Sequence, residues 1–221
     1  MSRIAIIGGH GKVALHLARI LTDGGHAVSS LIRNPEHSAD ITATGATPIV
    51  ADVENLSTEQ IAATIAGHDA VVWSAGAGGG SAERTYAVDR DAAIRSMDAA
   101  ALAGVKRYVM VSYKGSRTDH GAAETDGMFA YYEAKAAADE YLRGTDLSWT
   151  ILGPSLLTAA AGSGRIDVGG ANLPAGDVSR ENVARVVAAV LATPATIGTF
   201  LEFNDGQTPI EEAVARYGTN Q

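Results

Sequence analysis

Tyr131 and Lys135 stand in the pattern Y-x-x-x-K within "YYEAK". Helical spacing puts both on one face, about a turn apart. An ammonium so placed favours tyrosinate and lowers the phenol pKa, giving a proton donor usable near neutral pH. Tyr132 is adjacent, so the register between the two phenols is open. Ser112, at the end of the apolar run "VKRYVMVS", is placed to hydrogen-bond a substrate carbonyl. Ser112, Tyr131 and Lys135 are therefore the candidate catalytic residues.

A second constellation is "IAIIGGHGKVALHLARIL", residues 4–21. Gly8, Gly11 and Ala14 fit G-x-x-G-x-x-A, and Gly9 adds a further glycine. A glycine turn between a strand and a helix lets a pyrophosphate approach the backbone, and the helix N-terminus offers it N–H groups and partial positive charge. Gly8, Gly9, His10, Gly11, Lys12 and Val13 are the candidate contacts. An NAD site places Asp or Glu at the end of the second strand, to bind the ribose 2′-hydroxyl. Here that strand ends in "LIRNPEH", with Arg33 in the carboxylate's place. A guanidinium grips a 2′-phosphate, so NADP(H) is favoured over NAD(H). Asp52 and Val53 after the third strand, and Ser74, Ala75 and Gly76 after the fourth, are further candidates for cofactor contact.

These residues need elements to hold them. Strands are expected at 3–8, 26–33, 47–52, 69–76, 105–112 and 147–153. Helices are expected between them at 12–24, 35–45, 57–67, 84–104 and 129–144. Ser57 and Gln60 make a capping-box pattern at the start of one helix. Such β–α alternation predicts an α/β fold, a doubly wound and mostly parallel sheet with helices on both faces. Ligands then bind beyond the strands' carboxyl ends, where strand order reverses. After Pro154 the pattern loosens into a Gly- and Ala-rich stretch, with a short strand near 165–168. A helix (179–194), a strand (198–205) and a closing helix (208–218) follow. One domain over 1–221 is expected, with 155–221 contributing substrate-side loops; "GAGGGS" (76–81) reads as a site loop.

The chain has 221 residues, no cysteine and a formal net charge of −8. The missing cysteines exclude disulfides and thiolate chemistry and fit a reducing compartment. No metal site is expected. The apolar run after Arg3 is too short for a signal peptide, so a cytoplasmic protein is expected. Net acidity argues against nucleic-acid or acidic-membrane partners and leaves a small molecule. A monomer or a homodimer is expected.

Together these residues resemble the atypical branch of the short-chain dehydrogenase/reductase superfamily, its flavin reductase/biliverdin reductase B-like and NmrA-like sets. "IIGGHGKVA", "LIRNPEH", "VVWSAGAG", "AALAGVKRYVMVS" and "SRENVARVVAAVL" carry the resemblance. Residues 131–158, "YYEAKAAADEYLRGTDLSWTILGPSLLT", are its most specific part. It implies a Rossmann sheet with NADP(H) across its carboxyl edge. It also implies a Ser–Tyr–Lys group, Lys135 on the nicotinamide ribose, and Pro154 and Ser155 near the nicotinamide. Where the branch often has Arg-Pro after the sixth strand, this chain has Gly153–Pro154. The expected function is hydride transfer to a carbonyl, quinone or flavin-like acceptor lying against Tyr113, Met128, Phe129, Leu156 and Leu157. The alternatives are a non-catalytic, NADP-binding redox-sensing regulator and an epimerase or dehydratase.

Overall fold

Ile4, Ala5, Ile6 and Ile7 are all buried, and they alternate between two cores. Ile4 and Ile6 face one, Ala5 and Ile7 the other, as the two-residue period of a strand covered on both faces requires. This is β1 (Arg3–Ile7), the third strand from one edge of a nine-stranded sheet. The computed structural model describes residues 1–170 and 173–219.

From β1 the chain runs through α1 (Lys12–Asp23), β2 (Ala27–Ile32) and a 3-10 turn (Pro35–His37). It continues through α2 (Ser38–Thr42), β3 (Thr47–Val50), α3 (Thr58–Ile65) and β4 (Ala70–Trp73). Next come α4 (Ala82–Thr85), a π-helical segment (Tyr86–Ala92) and α5 (Ala93–Leu102). β5 (Arg107–Val111), α6 (Phe129–Arg143) and β6 (Ser148–Pro154) complete the regular alternation. The rest is β7 (Leu156–Thr158), β8 (Arg165–Gly169), β9 (Asp177–Ser179) and α7 (Arg180–Ala192). β10 (Thr199–Asp205), β11 (Thr208–Pro209) and α8 (Ile210–Thr219) close the described chain.

The sheet order is β11-β8-β10-β6-β5-β4-β1-β2-β3, parallel from β3 to β10 and antiparallel at β8 and β11. The order reverses at β1, which pairs with β2 on one side and β4 on the other. The crevice beyond their carboxyl ends is the ligand position of a doubly wound sheet. α1 and α7 pack on one face; α3, α5 and α6 cover the other. Fully buried Ala92, Ala93, Ala99 and Ala100 bring helix and sheet together without bulky spacers.

The expected alternation and the capping box are both present. The Ser57 Oγ accepts from the Gln60 N–H at 3.3 Å, and the Gln60 Oε1 accepts from the Ser57 N–H at 2.9 Å. Three details differ. The helix expected over 35–45 is a 3-10 turn plus the five residues of α2, because Pro35 starts it and Gly45 at φ +85° ends the run. The helix expected over 84–104 starts at Ala82 and widens into π geometry at 86–92. β7, β9 and β11, two or three residues long, are too short to show a period.

Gly8 sits at the switch with φ +82°, and a Cβ there would lie 2.5 Å from the Ala75 Cα. Gly25 has nearly the same φ, +79°, but open space around it. Gly25→Ala should therefore cost only the left-handed backbone penalty, about 1–2 kcal/mol. Gly8→Ala should add an overpacking loss of about 1–3 kcal/mol. Urea unfolding of the two variants measures the difference; equal losses would mean that the β1–β4 contact is not tight.

Candidate active site

Below Gly8 the backbone stays close-packed. A Cβ on Gly9 would stand 2.6 Å from the Ser30 Cβ. The Gly9 N–H donates to the Leu31 carbonyl at 2.8 Å, and the Gly11 N–H donates to the Gly8 carbonyl at 2.9 Å. Gly11 is the N-cap of α1; it offers no side-chain cap, and no acidic residue stands in the first turn. Among the described residues the first-turn N–H groups therefore have no side-chain partner, and the helix dipole adds positive potential there. These donors and this cradle fit an anionic diphosphate.

A cavity of about 460 Å³ opens beside the turn. Gly8, Gly9, His10 and Gly11 form one wall, and Arg33 with Asn34 comes from the end of β2. Asp52, Val53 and Glu54 follow β3, and Ser74, Ala75 and Gly76 follow β4. Arg84 and Val88 enter from the far side. His10 bonds Asp40 through Nε2 at 2.8 Å and stacks on His37 at 3.6 Å. A larger groove of about 710 Å³ lies at the opposite edge of the sheet, around Arg3, Arg19 and His68. It is remote from the strands' carboxyl ends and from the glycine turn.

Tyr131, Lys135 and Asp139 follow one another at four-residue steps along α6. Lys135 is 2% exposed, and its Nζ donates to the Val111 carbonyl at 2.9 Å. Asp139 is fully buried. Its Oδ2 accepts from the Ser116 hydroxyl at 2.6 Å and also from the Ser112 hydroxyl. Its Oδ1 has no partner among the described residues. Burial pushes the Asp139 carboxyl up, against the opposing pull of Lys135 and the two serines. Asp89, in the π-helical segment, behaves alike: burial raises it, Lys135 opposes, and its Oδ2 accepts from the Ala77 N–H at 2.9 Å.

Two expectations need correction. The Tyr131 phenol is pushed up rather than down. Burial is the main cause, and the Asp89 carboxylate adds to it. The charge of Lys135 acts on Asp89 and Asp139 and is not among the causes of the Tyr131 shift. The Ser112 hydroxyl donates to Asp139 instead of being left for a substrate carbonyl. Among the described residues no hydrogen bond engages the Tyr131 hydroxyl, and the buried hydroxyl of Tyr113 beside it has no partner either.

The other expected residues divide by position. Gly8, Gly9, His10, Gly11, Arg33, Asp52, Val53, Ser74, Ala75 and Gly76 line the one cavity. Lys12 does not; it is exposed and faces a separate groove beside His16 and Arg180. Val13 is buried in the core shared with α7. Pro154 is buried in β6, and the Ser155 hydroxyl donates to the Asn204 Oδ1. Tyr113 packs against Tyr131 and Tyr132 with ring centroids 5.4 Å apart, and burial raises its phenol to about 12. Phe129 meets His120 edge-on at 5.4 Å. Met128 is 46% exposed at the start of α6. Leu156 is 76% exposed and Leu157 packs toward the α7 core, so neither joins the aromatic wall.

Asp139, Ser116, Asp89, Glu54 and Arg84 were not foreseen. Asp139 had a signal, since Y-x-x-x-K-x-x-x-D continues the same helical face. Asp89 had only its place inside an otherwise helical run.

The chain belongs to the NAD(P)H-binding family, whose model matches residues 8–194. It is 33% identical over 216 residues to YhfK of Bacillus subtilis, named an uncharacterized sugar epimerase, covering 97% of this chain and 99% of that protein. A solved Bacillus halodurans structure, named for an NAD-dependent epimerase/dehydratase, aligns with a TM-score of 0.90 at 31% identity, over 98% of this chain and 100% of that one. The oxidoreductase ylbE of Lactococcus lactis aligns with a TM-score of 0.85 at 28% identity, over 97% and 95%. The family supplies a nicotinamide dinucleotide as the ligand for which the glycine cradle and uncapped α1 are suited. No helix among the described residues is long and apolar enough to cross a membrane.

Asp139 gives a pH prediction. Its folded pKa lies above the ordinary 3.8, so the fold favours the protonated form. The stability tied to that proton is present at low pH and is lost as pH rises from about 4 through the raised value. Asp139→Asn keeps the shape and an acceptor for the serines but cannot ionise. The variant should therefore gain on the parent in urea unfolding as pH rises from 4 to 8. A parent that instead gains on the variant would mean that Lys135 stabilises an ionised Asp139.

Proposed function

We propose that the protein is an NADP(H)-dependent oxidoreductase acting on a small carbonyl, quinone or flavin-like acceptor. The observation that carries this reading is the continuity of the site. The glycine-turn cavity reaches Ala77, whose N–H is held by Asp89, and Asp89 acts in turn on Lys135 and on the Tyr131 phenol. A bound nicotinamide supplies the hydride.

The chain's own residues do the rest. The first-turn amides of α1 bind the diphosphate, and Arg33 holds the 2′-phosphate. Tyr113, Tyr131 and Tyr132 present a cluster of ring faces beside which a flat acceptor can lie. The Tyr131 hydroxyl, free of internal partners, donates its proton to the oxygen that becomes negative as hydride arrives. Lys135, buried and acting on both Asp89 and Asp139 through its charge, offsets whichever acid ionises. Ser112 holds Asp139 and leaves the acceptor oxygen to Tyr131.

The names of two relatives above 30% identity favour a second reading, an epimerase or dehydratase. That chemistry also removes and returns hydride at an oxygen-bearing carbon, and it would use the same tyrosine. It differs in showing no net cofactor consumption.

The test is NADPH oxidation with a panel of aldehydes, quinones and flavins, beside NADPH and NADH affinities by calorimetry. NADPH should bind more tightly than NADH. Tyr131→Phe should lower carbonyl reduction about 10²- to 10⁴-fold, with cofactor affinity little changed. Carbonyl reduction that survives Tyr131→Phe would overturn the role of the tyrosine. Tight NADPH binding with no turnover on any acceptor would favour a redox-sensing regulator.

A further inference from the structure

Three charged side chains meet on the side of the cavity formed by the ends of β2 and β3. Arg33 follows β2, Glu54 follows β3 and Arg84 belongs to α4. One oxygen, Glu54 Oε2, lies 3.4 Å from Arg33 Nη1 and 3.6 Å from Arg84 Nε. All three residues line the cavity. Glu54 is the anchored member. Its carbonyl accepts from Arg95 Nη2 at 2.8 Å, and its N–H donates to Asp52 Oδ1 at 3.3 Å. The Arg33 side chain is 57% exposed against 24% for Glu54, so it is the member free to swing. Arg84 is tied to the glycine-rich loop, donating to the Ala77 carbonyl through Nη1.

We propose that Glu54 is the specificity-determining residue of the cofactor site, an internal competitor that occupies Arg33 and Arg84 and must yield them to a phosphate on the adenosine ribose. This rests on the reading above that the adenosine end lies between the β2 and β3 ends. The trio carries two positive charges and one negative. A phosphate monoester brings nearly two negative charges at neutral pH. It gains two guanidiniums only by displacing Glu54, and it then sits beside a fixed carboxylate. A ribose hydroxyl meets the opposite situation, because it donates to that carboxylate and disturbs no ion pair. Glu54 thus supplies from β3 the acceptor that an NAD site draws from the end of the second strand. Arg84 is the second cation for the phosphate, carried by the helix that follows the glycine-rich loop. The site holds both forms of the cofactor, and Glu54 narrows the margin between them.

The test uses 2′,5′-ADP and 5′-AMP as probes, which differ by the 2′-phosphate, titrated by calorimetry into the full chain at low and moderate salt. Glu54→Gln keeps the shape and removes the charge. It should tighten 2′,5′-ADP roughly tenfold, with a steeper loss in salt, and change 5′-AMP about twofold or less. Arg84→Gln should weaken 2′,5′-ADP severalfold and leave 5′-AMP unchanged, and it tests the same claim should Glu54→Gln misfold. Equal changes for both nucleotides would mean that Glu54 only ties the loops together, and the proposal fails. A parent that binds both probes, with neither variant altering their ratio, overturns this proposal while leaving the cofactor reading intact. A parent that binds neither probe at millimolar concentration overturns both.

Discussion

The backbone of Gly8 passes Ala75 so closely that a single Cβ would fall inside the contact. That approach is what lets β1 and β4 run side by side to their carboxyl ends and then part. The chain of β1 turns down into α1, while the chain of β4 leads on to α4. The crevice between the two exits exists because neither carries bulk at its end. Gly9 repeats the constraint against Ser30 of β2. The glycines thus serve two ends at once: they close the strands together, and they leave the start of α1 bare of side-chain caps. A residue larger than glycine would first damage packing and only then a ligand.

On the other side of β4 the governing constraint is charge burial. Lys135 is nearly inaccessible and its charge is shared with two buried carboxyls, Asp89 and Asp139. An isolated ammonium there would be expensive, as would either isolated carboxylate. The three are workable together because their opposite charges attract and because the serines and the Ala77 amide each satisfy one oxygen of an acid, Oδ2 of Asp139 and Oδ2 of Asp89. Tyr131 stands at the edge of this group and keeps its proton. The π-helical widening at Tyr86–Ala92 accompanies the placement of Asp89; such segments recur at functional sites.

The strongest signals in the sequence are the ones that depend on neighbours along the chain. Four buried residues followed by glycines give β1 and its turn, and the alternating runs give the parallel sheet. The helical spacing of Tyr131 and Lys135 gives one face of α6. Signals fail where the partner lies far along the chain. Ser112 meets Asp139 across 27 positions, and Glu54 meets Arg84 from a separate element. Lys12 reads as a phosphate ligand by adjacency to the turn, but the helical rotation carries it to a different groove. The direction of the Tyr131 shift is not legible in the motif, which shows the nearest cation and hides the burial, and after it the acids, that raise the phenol.

The central claim is that a nicotinamide dinucleotide lies across the β1–β4 exits with its diphosphate on α1. A crystal structure of the protein with NADPH tests it directly. Diphosphate oxygens within hydrogen-bond distance of the first-turn amides of α1, with adenosine between Arg33 and Glu54 and nicotinamide beside Tyr131, are the predicted result. A dinucleotide bound in the groove around Arg3 and Arg19, with the glycine turn left bare, would contradict the account.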